Sequence, residues 1–133
     1  MISKLKINIY YEDTDAAGLV YYANYLKYFE RARTEYFKIR GFNPFQLANN
    51  GILFVVQKAS IEYKSAARLG DTIKVETSIL KIRGARVIFG YRVILEQQER
   101  LIVTGRTDLA CVTNDMKPQR IPDKIVTILE QNS

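Results

Sequence analysis

Three carboxylates, Glu12, Asp13 and Asp15, stand just ahead of an aromatic-rich helical pattern in the stretch YEDTDAAGLVYYANYLKYFERARTEYF, residues 11–37. A carboxylate can take a proton from water or attack an acyl carbon, so the grouping invites a chemical reading. As a calcium loop counted from Asp13 it would need oxygen ligands at positions 1, 3 and 5 and a bidentate glutamate at position 12. Position 5 is Ala17 and position 12 is Asn24, so two ligands are missing. As a plain turn it needs no function, since Asp and Gly favour turns anyway. The helix start supplies a further reading. First-turn N–H groups lack intrahelical partners and carry about half a positive charge. If residues 18–23 fold back over that start, Asp15 and those amides face one small volume. A carboxylate beside an amide that stabilises charge on a carbonyl oxygen is the minimum equipment for acyl transfer to water. Spacing permits this arrangement and leaves the turn reading open.

What the chain lacks narrows the chemistry further. It contains no histidine and one cysteine, Cys111. Ser-His-Asp and Cys-His schemes, a His-ligated zinc site and a thiolate cluster are therefore excluded. Any catalysis falls to carboxylates, backbone dipoles or tyrosines. Cys111, in strand alternation with Leu109, reads as a small core residue. Tyr21, Tyr25 and Tyr28 read as core or pocket wall, and Glu30 and Glu35 as members of a solvated helix face.

The elements that must position these groups follow from periodicity. Residues 5–11 alternate, with Leu5, Ile7, Ile9 and Tyr11 on one face, which predicts a half-buried strand. Residues 13–18 form a turn, with Gly18 free to take a positive φ. A helix is expected from about Asn24, as N-cap, to just before Gly41. Its apolar residues cover more than one stripe, which predicts enclosure on most sides, with Arg31 and Glu35 paired on the remaining polar face. Strands are expected over 53–63, 72–82, 85–95 and 101–113, spaced as consecutive antiparallel partners, and a terminal helix over 123–130. One helix beside a five-stranded antiparallel sheet that curls around it is an α+β architecture. Free strand edges with Val and Ile on both faces predict a homo-oligomer.

With 133 residues, 47% hydrophobic and 26% charged, the chain is expected to be one globular domain over residues 1–133. No apolar run reaches the ~20 residues of a membrane span, and residues 1–13 do not read as a signal peptide. A lone cysteine suits a reducing compartment, so a cytoplasmic protein is expected. The net charge of +6 favours acidic partners. The basic residues are scattered and the aromatics cluster on the helix, which argues against nucleic acid as the partner.

The stretch from Tyr11 to Tyr25 resembles the signature of hotdog-fold acyl-CoA thioesterases, in the 4-hydroxybenzoyl-CoA thioesterase branch that includes the YbgC-type enzymes. The likeness continues through FERARTE at residues 29–35, Ile61-Glu62-Tyr63, Ala67-Arg68-Leu69-Gly70-Asp71 and Lys117-Pro118, covering nearly the whole chain. The resemblance implies a hotdog fold, a five-stranded antiparallel sheet wrapped around a long central helix. It implies hydrolysis of an acyl-CoA or acyl carrier protein thioester, without metal or cofactor beyond the coenzyme A of the substrate. It places the catalytic carboxylate on Asp15 and the carbonyl-polarising amide on Tyr22, where many YbgC-type proteins carry histidine. It makes Arg83, Arg86, Lys117 and Arg120 candidates for the coenzyme A phosphates, where Arg and Lys give charge-assisted contacts. It also implies a homotetramer built as a dimer of dimers and an association with the Tol-Pal envelope system. A non-catalytic acyl-CoA-binding protein is the alternative.

Overall fold

The computed structural model describes residues 2–131. The elements run β1 (Ser3–Asn8), a 3-10 turn (Tyr11–Asp13), α1 (Asn24–Ile39), α2 (Pro44–Asn49), β2 (Leu53–Tyr63), β3 (Thr72–Arg83), β4 (Arg86–Leu95), β5 (Arg100–Val112) and α3 (Asp123–Gln131). The five strands form one antiparallel sheet in the order β1-β3-β4-β5-β2. This is the expected hotdog architecture. The helix at its centre has 16 residues, about 24 Å at 1.5 Å per residue, and is of moderate length.

Strand order follows burial rather than chain order. β4 buries both faces over most of its length and takes the middle of the sheet. β2 is exposed or half-buried throughout and takes an edge, pairing with β5 and not with its chain neighbour β3. The expectation of consecutive partners fails there, because a strand's pairing partner is not written in its own alternation.

β1 is also shorter than its alternation suggests. Ile9 still buries beside it, but Tyr11 does not share that face and is 82% exposed. Asp13 ends the strand: its Oδ2 accepts from Tyr10 N at 2.9 Å and its own N–H donates to Tyr10 O at 3.0 Å, closing a 3-10 turn.

α1 lies on one face of the sheet and buries Tyr25, Tyr28, Phe29, Ala32, Tyr36 and Phe37, a single stripe at helical spacing. The predicted enclosure on most sides is not observed in the chain. Leu26 is 43% exposed, on the side of the helix it shares with Glu30, and Ile39, the last residue of α1, is 68% exposed. The stripe meets the sheet through aromatic stacking, most closely Phe29 on Tyr91 with centroids 4.2 Å apart and planes 8° apart. Gly105 of β5 makes room for the Phe29 ring, since a Cβ there would lie 2.4 Å from two ring atoms. The predicted Arg31–Glu35 pair is also absent. Glu35 pairs with Lys38 at 3.6 Å, and the Arg31 guanidinium lies 5.7 Å from the centroid of the Tyr28 ring.

Gly41, with φ +91°, ends α1 as expected. Asn43 then caps α2 by accepting from Phe45 N at 2.9 Å, with Pro44 in the first turn. α3 buries Ile125 and Leu129 against the core that contains α1.

Candidate active site

The acid-rich stretch folds as a small hairpin. Thr14 and Val20 form a β-bridge, Asp15 N donates to Leu19 O at 2.8 Å, and Gly18 closes the tip with φ +77°. Asp15 stands at that tip, exposed. Its Oδ1 accepts from Ala17 N at 2.9 Å and from Leu19 N at 3.3 Å, and Oδ2 carries no hydrogen bond among the described residues. The turn reading and the chemical reading are therefore compatible, since one oxygen holds the turn while the other stays available.

The segment that the resemblance singled out downstream holds this hairpin in place. Val20 N donates to Ala67 O at 2.9 Å, Leu19 bridges Arg68, and Leu69 N donates to Gly18 O at 3.1 Å. Asp71 completes that cradle, its Oδ2 accepting from Arg68 N at 2.8 Å. The hairpin thus rests on the residues that lead into β3.

The helix start is tied to the same hairpin. Asn24 was expected to cap α1 through its side chain. Instead Ala23 is the N-cap, with helical φ and ψ and no side-chain cap, and Asn24 is the first helical residue. Its amide Nδ2 donates to Asp13 O at 2.8 Å, and Tyr21 N donates to the same carbonyl at 2.9 Å. Both contacts lie across the hairpin, where no local pattern announces them. Beyond them the N–H groups of Tyr22 and Ala23 have no hydrogen-bond partner among the described residues. No acidic side chain occupies the first turn of α1, so the positive end of the helix dipole is not neutralised from within the helix. The Tyr22 ring is 60% exposed, and its carbonyl accepts from Tyr63 Oη at 3.1 Å.

The tyrosines divide by burial. Tyr25 and Tyr28 are core residues, as expected, and burial pushes the Tyr25 hydroxyl up to about 12. Burial, and after it the Asp13 carboxylate nearby, also raises the Tyr28 hydroxyl. Both stay protonated at neutral pH, which removes them as bases. Tyr21 is 46% exposed, with its ring 4.7 Å from that of Tyr22. Cys111 is buried and burial raises its thiol, in keeping with a core role.

The basic candidates gather elsewhere. Arg83 and Arg86 line a cleft at the β3–β4 turn together with Lys81. Ile121 N donates to Gly84 O at 3.0 Å, which draws Arg120 to the same end of the sheet. Arg120 pairs with Asp123 at 3.5 Å, and Lys117 lies exposed in the turn after β5. Arg86 contacts Asp108 at 3.0 Å, and Arg106 contacts the same carboxylate at 2.9 Å. The hydrogen bond from Arg106 is the main reason that Asp108 sits below the usual carboxylate range. These bases lie at the far end of β3 from the Asp15 hairpin, across 12 strand residues and on the order of 35 Å. One chain does not bring the two groups together, and Asp15 and Tyr22 line none of its main clefts. Among the described residues no group of three or more His, Cys, Asp or Glu could hold a metal ion, and no helix is long and apolar enough to cross a membrane.

Comparison with known proteins decides the family. The model of the Thioesterase-like superfamily matches residues 10–129. The chain belongs to that superfamily. It is 36% identical over 126 residues to the acyl-CoA thioester hydrolase YbgC of Escherichia coli O6:H1, covering 94% of this chain and 93% of that one. It is 40% identical over 121 residues to the acyl-CoA thioesterase YbgC of Haemophilus influenzae, covering 90% and 88%. Among solved structures, a probable thioesterase from Bartonella henselae superposes with a TM-score of 0.86 at 30% identity, over 92% of this chain and 100% of the other. The thioesterase match spans the Asp15 hairpin, the 67–71 cradle and the basic end of the sheet alike.

Proposed function

We propose that this protein hydrolyses the thioester of an acyl-CoA, or of an acyl carrier protein, to the free acid and the thiol. The observation that carries the reading is that one hydrogen-bonded unit holds both an exposed Asp15, whose Oδ2 has no hydrogen bond among the described residues, and Tyr22 and Ala23 N–H groups that have no partner among them, at the positive end of α1. The names of the YbgC relatives supply the substrate class. In the reaction, the thioester carbonyl oxygen accepts from the Tyr22 N–H, which stabilises the negative charge that develops on it. The Asp15 carboxylate either takes a proton from the attacking water or attacks the carbonyl carbon itself, giving an anhydride that water then opens. The C–S bond breaks, and the thiolate leaves and is protonated to the thiol. No metal or redox group takes part in this scheme.

A second copy of the chain fits the same reading. The Asp15 hairpin and the Arg83–Arg86 end lie at opposite ends of one sheet, and β2 is an exposed edge strand. Antiparallel pairing of β2 with its copy sets the basic end of one protomer beside the hairpin end of the other, with the acyl group between them. Arg83, Arg86, Lys117 and Arg120 then hold the coenzyme A phosphates. On this reading residues 1–133 form one hotdog domain that assembles as a dimer of dimers in the cytoplasm. The likeness to YbgC proteins is what supports an association with the Tol-Pal system.

The test is thiol release from short, long and aromatic acyl-CoAs and from acyl carrier protein thioesters, for the wild type and Asp15→Asn. Asparagine keeps an oxygen to accept from Ala17 N and Leu19 N, so fold and assembly persist. Turnover should fall ~10²-fold or more, as on loss of a reacting group. Near-wild-type hydrolysis by the variant would overturn the assignment. Tight acyl-CoA binding with no thiol release from the wild type would instead establish a binding protein.

A further inference from the structure

We infer that Tyr63 is a positioning residue for catalysis, acting through the backbone of the turn that opens α1 and not on the substrate; this rests on the thioesterase reading above. In a regular helix the Tyr22 carbonyl would accept from Leu26 N. Here Leu26 N donates to Ala23 O at 3.2 Å, and Tyr22 O accepts from Tyr63 Oη at 3.1 Å instead. The side chain that replaces a helical bond comes from the last residue of β2, more than 40 positions away in sequence by the count from 22 to 63.

That strand end is firmly held. Tyr63 sits opposite Val103 in the β2–β5 ladder, and the next two N–H groups, of Lys64 and Ser65, both donate to Ile102 O. The ring packs edge-on against two others, 6.4 Å from Tyr22 and 5.9 Å from the buried Tyr25. The hydroxyl is thus aimed from a fixed platform.

Two consequences follow for the amides. The hydrogen bond fixes the plane of the peptide joining Tyr22 and Ala23, and with it the direction of the Ala23 N–H, which has no partner among the described residues; the Tyr22 N–H, on the preceding peptide, adjoins that plane through the Tyr22 Cα. It also withdraws electron density from that peptide, since hydrogen-bonded amides polarise one another by roughly 10–30% per bond. The turn is held from the opposite side by Tyr21 N and Asn24 Nδ2 on Asp13 O. It is therefore clamped between the hairpin that carries Asp15 and the strand that carries Tyr63. Removing a whole oxyanion donor costs roughly 10²–10³-fold in turnover, so loss of its support should cost about tenfold.

The experiment uses the full chain and thiol release with the best acyl-CoA found in the screen. Tyr63→Phe keeps the ring and removes only the hydroxyl. The expected result is a kcat about tenfold lower with KM within twofold and an unchanged melting temperature. A series of fluorinated tyrosines at position 63 then grades donor strength, with kcat rising as the phenol becomes more acidic. The assay is run below the phenol pKa, which burial raises in this protein. A tether with a purely structural role would not produce that slope. Wild-type kcat for Tyr63→Phe, a change confined to KM, or no dependence on phenol acidity each overturns the inference while leaving Asp15 and the thioesterase reading in place. Absence of thiol release from any thioester by the wild type overturns both.

Discussion

Substituting Gly105 by alanine tests how the helix that carries the site is seated on the sheet. The added Cβ would lie 2.4 Å from Cε2 and Cζ of Phe29, about 1 Å inside the 3.4 Å at which ordinary contact begins. The ring has nowhere to retreat, because it is fully buried and stacked on Tyr91 at 4.2 Å. Tyr91 is fixed in turn by Thr107 Oγ1 at 2.6 Å and by Arg33 Nη1 at 3.1 Å. Gly105 has no positive φ, so the backbone accepts alanine and the strand itself would gain roughly 0.5–1 kcal/mol from it. Overpacking a rigid core costs roughly 1–3 kcal/mol and dominates. The net loss should be about 1–2 kcal/mol, a fall in melting temperature of roughly 3–10 °C for a chain of this size. Calorimetry and urea unfolding measure it. In a Phe29→Leu background, where the offending ring edge is gone, the cost should drop below about 0.5 kcal/mol. A Gly105→Ala protein as stable as the wild type, or equal costs in both backgrounds, would refute the steric account.

Asp108 is 6% exposed between Arg86 and Arg106, and its folded pKa is depressed, so its stabilisation is present above the ordinary aspartate range and lost as pH falls through the folded value. The stability gap between the wild type and Asp108→Asn, from urea midpoints, should be constant above about pH 5 and close below about pH 4, whereas a pH-independent gap would refute it. Tyr36 buries a hydroxyl with no hydrogen-bond partner among the described residues, while the Arg40 guanidinium stacks on its ring 3.4 Å from the centroid. Tyr36→Phe keeps the stack and sheds an unsatisfied group, so stability should be unchanged or higher by up to about 1 kcal/mol, and a loss above that in thermal unfolding would show an unrecognised partner.

Much of the architecture is legible along the chain because it is locally encoded. The strand bounds at 53–63 and the glycines 18 and 41 at the hairpin tip and the end of α1 follow from alternation and from φ preferences. The aromatic count of α1 misled, because side-chain type alone does not say which residues face the sheet. Leu26 and Ile39 are exposed, and the tyrosines at 28 and 36 are fully buried. Asp15 and Tyr22 stood out through motif likeness. Asn24, Tyr63 and Ala67 fell within that likeness, but their roles did not show in it, since each acts through a contact made across the fold.

The chain by itself determined the menu of chemistry: without histidine and with one cysteine, catalysis falls to carboxylates, backbone dipoles or tyrosines. It also determined that a helix start follows the carboxylates, because turn and helix propensities are properties of neighbouring residues. Only the tertiary structure decided that, among the described residues, nothing takes up the second Asp15 oxygen or the Tyr22 and Ala23 N–H groups, and that β2 is left at the edge of the sheet. Those outcomes depend on which distant donors and acceptors the packed core brings together, and such competition has no signature in local sequence.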